Sequence, residues 1–326
     1  MSDHPRVVTA FGFAPASLEK IREAANAEVI TVHNDNELLT ELRDAEVLCG
    51  SDVPENWREV APHLRWLQFP GAGIDKLRYH PILQPDSGVL ITTASGVHIT
   101  NITEYVFCSM MMFNRSWPDM VRFQDRHIWA HTGSEYPLRE RELTGTTLGI
   151  VGLGSIGRHI AQVAHAFSMH VLATRFSTRA NEHDPDVEQL YPIEQLRDML
   201  ARSDYVVIAV PLTDKTEKLI GEVELRAMKP NAYLVNIGRG GVIDEEMLIR
   251  ALREHWIAGA GLDVTVEEPL PSTNPLYDLP NVILTPHISG ATEFYESRLA
   301  DIFADNLRRY RAGQPLRNLY DPHRGY

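Results

Sequence analysis

The sequence predicts an α/β fold with two domains, each built on a doubly wound parallel β-sheet. The chain of 326 residues is long enough for two domains of ordinary size. Short apolar runs alternate with amphipathic stretches, and this alternation is typical of a parallel sheet with helices between its strands. Hydrophobic residues make up 44% of the chain, which is enough to bury a core in each domain.

The composition excludes several classes of protein. Asp and Glu number 44 against 31 Lys and Arg, and the net charge of -13 argues against a nucleic-acid-binding protein. The cysteines, Cys49 and Cys108, form no CxxC pair and favour a reducing compartment over a disulfide-stabilised fold. The amino terminus lacks a basic region followed by an apolar one, and residues 105–113, the longest apolar stretch, are fewer than the roughly 20 that cross a membrane. We therefore expect a cytoplasmic protein without a membrane segment.

The first hundred residues predict one small α/β domain. Apolar runs indicate strands at residues 6–11, 28–32, 46–50, 64–69 and 89–92. Helical spacing of apolar residues indicates helices over residues 16–25 and 36–42. The glycines of Pro70-Gly71-Ala72-Gly73 predict a sharp turn after the fourth strand.

A long connecting helix is predicted next, over residues 101–122. Its apolar residues recur with helical spacing, and Asn101 or Thr100 is suited to cap its first turn. The polar stretch from 124 to 141 is too long for an ordinary connection. We expect an arm or an oligomer contact there, with Trp129 and Tyr136 as its aromatic residues.

Six further apolar runs predict the sheet of a second domain, at residues 147–151, 170–174, 205–209, 232–236, 258–262 and 282–284. Ligands of such sheets bind outside the carboxyl ends of the strands. The residues that follow these runs are therefore candidates for a site: Gly152, Arg175, Pro211, Gly238, Arg239, Asp263 and His287. Glycines, two cations, a carboxylate and an imidazole at the carboxyl edge of one sheet indicate a cofactor-binding cleft that also contains catalytic side chains.

The first of these runs leads into a glycine motif, Gly152-Leu153-Gly154-Ser155-Ile156-Gly157, and then into a helix over residues 158–167. A strand, this motif and a helix form the pattern of a dinucleotide-binding turn. The first glycine permits the tight turn, the second lets the backbone approach a pyrophosphate, and the third lets helix and strand pack closely. The amino end of the helix attracts the phosphate charge. A glycine turn without a ligand is the alternative.

The residues after the second run point to the kind of dinucleotide. An NAD site normally has Asp or Glu about 20 residues after the glycines, where it accepts hydrogen bonds from the adenosine ribose. Arg175 occupies that place, and Ser177, Thr178 and Arg179 follow it. Two guanidinium groups and two hydroxyls, with no carboxylate to repel a phosphate, suit the 2′-phosphate of NADP(H). We expect NADP(H) to be preferred, with NAD(H) as the alternative cofactor. Solvated surface arginines are the competing interpretation.

Further motifs carry a resemblance to a known family. They are residues 148–157, 203–213 and 228–240, with Gly261-Leu262-Asp263-Val264, Glu267-Glu268-Pro269-Leu270-Pro271 and Thr285-Pro286-His287. In this order they resemble the D-isomer-specific 2-hydroxyacid dehydrogenases over most of the chain. The resemblance implies two Rossmann-like or flavodoxin-like domains with a cleft between them, in which residues 1–100 and 290–326 form the substrate domain and residues 101–289 bind the nicotinamide cofactor. It also implies a homodimer.

The resemblance implies a catalytic trio of Arg239, Glu268 and His287. The chemistry of reduction agrees, because a 2-oxo acid needs a cation for its oxygens and a proton donor that titrates near neutral pH. Arg239 supplies a permanent charge. His287 donates the proton, while the Glu268 carboxylate orients the imidazole and favours its protonated form. A satisfied loop histidine and surface charges are the structural alternative.

The motifs, the residues after the strands and the resemblance together predict which residues contact the ligands. For the cofactor they are Gly152, Gly154, Ser155, Ile156, Gly157, Arg175, Ser177, Thr178, Arg179, Val210, Pro211, Thr216, Ile237, Gly238, Asp263, His287 and Gly290. For the substrate they are Ala72, Gly73, Val97, Arg239 and His287. Exposed amides of Ala72 and Gly73 would bind the substrate carboxylate, and a simple strand-to-helix turn is the alternative.

Three positions indicate what we do not expect the site to contain. Ala209 stands where the family often has histidine, so one polar contact near the cofactor is absent. His127 and His131 have helical spacing but no accompanying carboxylate pattern, and we therefore expect no metal site.

The implied activity is the reversible, NADPH-preferring reduction of a small 2-oxo acid to the D-2-hydroxy acid. Glyoxylate and hydroxypyruvate are the substrates of the most similar branch of the family. Two alternatives stay open. One is a dinucleotide-sensing protein like the transcriptional corepressors that share the fold, and the other is a phosphite-oxidising dehydrogenase.

Overall fold

The structure is a computed structural model that describes residues 4–74, 77, 79–130, 138–176 and 182–322. The chain divides into two compact units. Met1–His98 and Thr292–Tyr326 form the first, which we call the split unit, and Ile99–Ala291 form the second, the central unit.

Strands and helices alternate along both units. The strands are β1 (Val7–Thr9), β2 (Val29–Thr31), β3 (Val47–Cys49), β4 (Trp66–Gln68), β5 (Leu90–Thr92), β6 (Thr147–Val151), β7 (His170–Thr174), β8 (Gln189–Tyr191), β9 (Tyr205–Ile208), β10 (Tyr233–Asn236), β11 (Gly259–Leu262) and β12 (Val282–Leu284). The α-helices are α1 (Pro15–Ala25), α2 (Asp35–Glu41), α3 (Trp57–Val60), α4 (Ile99–Asn114), α5 (Trp117–Asp125), α6 (Ser155–Ala166), α7 (Leu196–Arg202), α8 (Glu222–Ala227), α9 (Glu245–Arg253) and α10 (Tyr295–Arg311).

The split unit is built on a parallel sheet with the strand order β2-β1-β3-β4-β5. Residues of α1 and α10 pack together with Trp66 in the core on one side of this sheet. The Trp66 ring is fully buried, lies 5.4 Å from the rings of both Phe303 and Tyr310, and donates its Nε1–H to Thr92 Oγ1 at 2.8 Å. The sheet formed by the first part of the chain is thus covered on one side by a helix from the last part of the chain.

The central unit contains a parallel sheet with the order β12-β11-β10-β9-β6-β7-β8. Strands after β6 are added first on one side and then, from β9 onwards, on the other. Doubly wound sheets open a ligand crevice where the order reverses in this way, here between β6 and β9. The predicted architecture of two doubly wound parallel sheets is confirmed.

One strand of the central unit was not predicted. β8 pairs in parallel with β7, with Leu172 opposite Gln189. Its sequence, Gln-Leu-Tyr, is too short and too polar at its first position to register as an apolar run. Tertiary pairing rather than local pattern makes it a strand.

The predicted connecting helix over residues 101–122 is wrong in one respect, because the chain forms two helices, α4 and α5. Ser116 between them has a left-handed backbone with φ 51°, and Pro118 lies in the first turn of α5. A continuous helix would need an N–H at position 118 to donate to the Asn114 carbonyl, and proline has none. The predicted caps are also wrong, since α4 begins at Ile99 and contains Thr100 and Asn101.

The predicted arm is described in part. Residues 131–137, which include His131 and Tyr136, lie outside the described residues. Before them, the Trp129 side chain is 91% exposed. None of the helices that the structure describes is long and apolar enough to cross a membrane.

Candidate active site of the central unit

The glycine motif forms a tight turn at the point where the strand order reverses. Gly152 has φ +106°, a backbone conformation that side chains rarely permit, and a Cβ there would lie 2.6 Å from Val210 Cγ1 and 2.8 Å from the Ala209 carbonyl oxygen. The amides of Gly152 and Leu153 both donate to the Thr174 carbonyl at 3.1 Å. The turn is therefore fixed between the carboxyl ends of three neighbouring strands, β6, β7 and β9.

The turn opens into α6 in a way that suits a bound pyrophosphate. A Cβ at Gly157 would lie 2.3 Å from the Gly152 carbonyl oxygen, so only glycine permits this close packing. No described atom lies within 4 Å of a Cβ built on Gly154, so that side of the turn is open. The first-turn amides of Ser155, Ile156 and Gly157 have no acceptor within the helix, and such amides bind phosphate well. These residues fit the dinucleotide that the motif predicts.

The loops after β9 and β10 form the other side of the crevice. A Cβ at Gly238 would lie 2.6 Å from the Val210 carbonyl oxygen, so these two loops also require glycine where they meet. Ile237 is buried beside this contact. The Thr216 hydroxyl donates to the Pro211 carbonyl at 2.6 Å and accepts the Thr213 amide at 2.7 Å, so it is engaged within its own turn.

Arg239 projects from a turn that directly follows β10. The Asn236 side chain closes this turn by accepting the Gly238 amide at 3.1 Å and donating to the Arg239 carbonyl at 3.0 Å. The Arg239 guanidinium is half-buried and donates to the Gly238 carbonyl at 2.8 Å. A Cβ at Gly240 would lie 2.0 Å from the Thr265 carbonyl carbon, so glycine is needed where the segment after β11 packs against this turn.

The structure brings Glu268 and His287 together. Glu268 Oε2 lies 2.7 Å from His287 Nδ1, and Glu268 Oε1 accepts the Thr265 amide at 3.1 Å. The His287 side chain is 46% exposed and that of Glu268 38% exposed. Because Nδ1 faces the carboxylate, the other ring nitrogen, Nε2, is the one that can exchange a proton with a ligand.

Buried Asp263 holds the backbone that carries His287. Asp263 Oδ1 accepts the Thr285 hydroxyl at 2.7 Å and the Ile288 amide at 2.8 Å, while Oδ2 accepts the Ser289 amide at 2.9 Å. The Asp263 carbonyl accepts the His287 amide at 2.8 Å. His287 itself has φ 55°, a left-handed conformation that is uncommon outside glycine, and these bonds maintain it.

Two residues that support this turn were not predicted, Thr285 and Tyr105. The Tyr105 hydroxyl lies 2.7 Å from Thr285 Oγ1. Because the Thr285 proton is given to Asp263, Tyr105 is the donor in this contact. Burial raises the pKa of Tyr105 to about 12, which keeps its proton in place at neutral pH. Thr285 belongs to the Thr-Pro-His motif, whereas nothing in the sequence distinguishes Tyr105 from other helix residues.

The topology places the predicted trio on three neighbouring strand ends. Arg239 follows β10, Glu268 lies in the segment after β11, and His287 follows β12, and these strands are adjacent in the sheet. Gly290, another predicted cofactor residue, is half-buried just beyond His287. Asn101 anchors this segment by donating to the Ser289 carbonyl at 3.0 Å.

The end of β7 differs from the prediction. Arg175 follows β7, and its guanidinium forms an ion pair with Glu182, while its Nη1 lies 3.8 Å from Asp184 Oδ2. The expectation that no carboxylate stands beside Arg175 was wrong, because the chain returns to this strand end seven residues later. Arg175 Nε is buried and has no hydrogen-bond partner among the described residues. The other predicted phosphate contacts, Ser177, Thr178 and Arg179, lie outside the described residues.

The predicted substrate loop lies in the split unit, after β4. Ala72 is half-buried and Gly73 is exposed. The preceding Pro70 carbonyl accepts the Tyr295 hydroxyl, and the Gly71 carbonyl accepts the Ala94 amide at 2.9 Å, so α10 and the segment after β5 fix the loop. Val97 is 1% exposed, its side chain belongs to the core, and its carbonyl accepts Arg298 Nη1 at 2.8 Å. The substrate contacts assigned to these residues stay predictions.

Metal chemistry has no candidate in the part of the chain that the structure describes. No group of three or more His, Cys, Asp and Glu side chains there could hold a metal ion. His127 is described, with φ 57°, and lies just after α5.

Comparison with known proteins decides the family. The profile of the D-isomer specific 2-hydroxyacid dehydrogenase family, NAD binding domain, matches residues 107–289. The chain belongs to this family. The resemblance inferred from the motifs is thereby confirmed, and the matched residues coincide with most of the central unit.

Relatives of this D-2-hydroxyacid dehydrogenase support the assignment along nearly the whole chain. A glyoxylate reductase of Korarchaeum cryptofilum is 36% identical over 283 residues, which cover 86% of this chain and 80% of the relative. The crystal structure of a D-isomer specific 2-hydroxyacid dehydrogenase from Xanthobacter autotrophicus in complex with NADPH has a TM-score of 0.81 and 27% identity, covering 99% of this chain and 100% of that one. An NADPH-dependent glyoxylate/hydroxypyruvate reductase of Sinorhizobium meliloti, in complex with NADP and malonate, has a TM-score of 0.75 and 26% identity, covering 98% and 97%.

The dehydrogenase therefore uses a nicotinamide dinucleotide to interconvert 2-oxo and 2-hydroxy acids. The family match and the site geometry agree on this point, since the turn that suits the pyrophosphate and the segment that carries His287 both lie within residues 107–289. Neither the corepressor-like nor the phosphite-oxidising alternative is favoured by these comparisons.

Proposed function

We propose that this dehydrogenase is an NADPH-preferring reductase of small 2-oxo acids, with glyoxylate and hydroxypyruvate as substrates and Arg239, Glu268 and His287 as its catalytic residues. The observation that carries the proposal is the hydrogen bond of 2.7 Å between His287 Nδ1 and Glu268 on a turn held by buried Asp263. A merely structural histidine would not need so many bonds to maintain a left-handed backbone with its ring half-exposed.

Each of the three catalytic residues has a separate role in the proposed reduction. The reduced nicotinamide, when bound, supplies the hydride. His287, protonated on both nitrogens, gives its Nε2 proton to the carbonyl oxygen of the substrate, and in the reverse direction Nε2 takes that proton back. Glu268 keeps the ring oriented and stabilises its positive charge. Arg239 offers a planar, permanently charged group to the carboxylate and carbonyl oxygens of the substrate.

The preference for NADPH rests on the position of Arg175. It is the first residue after β7, at the strand end where doubly wound sheets bind the adenosine ribose. Its Nε is buried without a hydrogen-bond partner among the described residues, and its guanidinium is a planar, permanently charged group of the kind that binds phosphate. The complexes of the Xanthobacter and Sinorhizobium relatives with NADPH or NADP support the same choice.

Initial rates with NADPH and with NADH, measured on glyoxylate, hydroxypyruvate and pyruvate, test this function. We expect turnover with at least one of these acids and a higher kcat/KM with NADPH. Arg175→Gln should raise the KM for NADPH on the order of tenfold and leave that for NADH within about twofold, because only NADPH carries the phosphate. Arg253→Gln, an exposed arginine at the end of α9, is the matched control. Equal efficiency with both cofactors would contradict the preference, and no turnover at all would contradict the activity.

We also propose a cytoplasmic homodimer. The side chains of Trp117 and Trp129, 55% and 91% exposed, favour a contact between copies through α5 and the segment after it. Sedimentation should give twice the chain mass of 36.8 kDa, and Trp129→Ala should weaken the dimer.

The proposed compartment is supported by the cysteines. Both are free thiols, as suits a reducing compartment. Cell fractionation tests this proposal.

A further inference from the structure

A carboxylate meets Arg175 at the strand end where the cofactor is proposed to bind. The guanidinium of Arg175 is 26% exposed and its partner Glu182 is 35% exposed, so both side chains are within reach of a ligand. Glu182 lies seven positions beyond Arg175 in sequence. The strand end thus offers a cation and an anion together, the two groups that dinucleotide sites use to distinguish a 2′-phosphate from a 2′-hydroxyl.

Two further acidic residues of the described chain, Asp184 and Asp186, make their shortest ion pairs with another arginine, Arg158. Asp184 is buried and accepts both terminal nitrogens of Arg158, at 2.8 and 2.6 Å, and Asp186 accepts one of them at 2.8 Å. These hydrogen bonds from Arg158 hold the pKa of Asp184 below its usual range. Arg158 therefore balances most of the charge of Asp184 and Asp186, and Glu182 forms the shorter of the two ion pairs that Arg175 makes with described carboxylates.

We propose that Glu182 is a specificity-determining residue that competes with the 2′-phosphate of NADPH for the Arg175 guanidinium. The inference rests on the proposed cofactor site. A phosphate monoester carries about 1.5 to 2 negative charges at neutral pH and is repelled by a neighbouring carboxylate. NADPH can therefore pair with Arg175 only when Glu182 moves away, whereas NADH leaves the ion pair undisturbed. A carboxylate at this place also accepts hydrogen bonds from ribose hydroxyls, which favours NADH further.

Glu182 thus makes the enzyme less selective than Arg175 alone would. Discrimination between two ligands depends on the groups that repel one as much as on those that attract the other. Removing the carboxylate should strengthen binding of the phosphorylated ligand, and removing the guanidinium should weaken it. This opposite response separates competition from a purely supporting role, in which both substitutions would weaken binding.

Calorimetric titration of the whole protein with two nucleotide fragments measures the effect without turnover. Adenosine 2′,5′-bisphosphate carries the extra phosphate and 5′-AMP lacks it. We expect Glu182→Gln to bind the bisphosphate on the order of tenfold more tightly than the wild type does, with 5′-AMP unchanged or weaker. The ratio of kcat/KM values for NADPH and NADH should rise by a similar factor.

Glu188→Gln is the matched control. It removes the same charge from the same segment, but Glu188 pairs with His170 at 2.7 Å, at the amino end of β7, away from Arg175. Equal affinities of the wild type, Glu182→Gln and Glu188→Gln for the bisphosphate would overturn the competition, as would weaker binding by Glu182→Gln. If no variant binds either nucleotide, the proposed cofactor site itself fails. Glu182→Ala repeats the test should the glutamine variant not fold.

Discussion

Two histidine-glutamate pairs in the central unit have nearly the same local geometry. His287 Nδ1 lies 2.7 Å from Glu268, and His170 Nδ1 lies 2.7 Å from Glu188. The histidine side chains are 46% and 57% exposed. The pairs differ in placement, because His287 follows β12 at the carboxyl ends of the strands and His170 begins β7 at the amino ends. A short hydrogen bond to a carboxylate is therefore not sufficient by itself to make a histidine a candidate for catalysis.

The support behind each pair differs as well. The turn that carries His287 is tied to buried Asp263 by two amides and the Thr285 hydroxyl. His170 is the first residue of a strand and owes its position to the sheet ladder. Building a left-handed turn around a buried carboxylate is costly without a function for it, whereas an exposed pair on a strand needs no explanation beyond surface charge.

The largest expected difference is in catalysis. His287→Gln should lower kcat for reduction about 10²- to 10⁴-fold, because it removes the proton donor. His170→Gln should leave kcat within about twofold of the wild type. Both rates are measured at saturating NADPH and 2-oxo acid, and nucleotide binding to each variant shows that the cofactor site is intact. Similar rates for the two variants would remove the distinction between the pairs.

The carboxylates should follow their histidines with a smaller effect. Glu268→Gln should lower kcat on the order of 10- to 100-fold, because the His287 ring loses the carboxylate that orients it during proton transfer. Glu188→Gln should leave kcat unchanged. The measurement is kcat for reduction by the wild type and the two variants at saturating NADPH and 2-oxo acid. Equal kcat values for Glu268→Gln and the wild type would show that the hydrogen bond of 2.7 Å has no part in proton transfer.

Loss of the bonds that hold the His287 turn should lower kcat by about one order of magnitude. Thr285→Val removes the hydroxyl that donates to Asp263 and accepts from Tyr105. The polar groups left unpaired should lower the free energy of unfolding by about 1–3 kcal/mol. We expect kcat to fall roughly tenfold as the His287 turn loosens, with the KM for cofactor nearly unchanged. Tyr105→Phe keeps the bond from Thr285 to Asp263 and should cost less than Thr285→Val in both rate and unfolding free energy. The reverse order of the two variants would contradict the proposed direction of the hydrogen bonds.

The parts of the site that are built from contiguous residues are predictable from the sequence. Gly152, Gly154 and Gly157 have the tight turn, open side and close packing that their spacing predicts, because each requirement is met by backbone within one motif. The parallel pairing of the strands follows from the alternation of strands and helices along the chain.

Contacts between residues far apart in the sequence are not predictable in this way. Glu182 was missed because only the folded chain returns it to the end of β7, and Tyr105 was missed because an apolar helix face hides one hydroxyl. The break between α4 and α5 was missed for a different reason. Pro118 lies within an apolar pattern that continues past it, so the periodicity predicts one helix where the missing N–H of proline requires two.

The smallest expected effect is the stability that the His170–Glu188 pair contributes. Both side chains are about half exposed, so water and salt screen their attraction, and ion pairs of this kind contribute about 0–1 kcal/mol. His170→Gln should lower the free energy of unfolding by less than about 1 kcal/mol in denaturant titrations, and this difference should shrink at high salt. A larger loss of unfolding free energy that salt does not reduce would mean that the pair is a structural contact between the start of β7 and the segment before β8. In that case both pairs would support the fold, and His287 would differ from His170 in its place at the carboxyl ends of the strands and in the buried Asp263 that holds its turn.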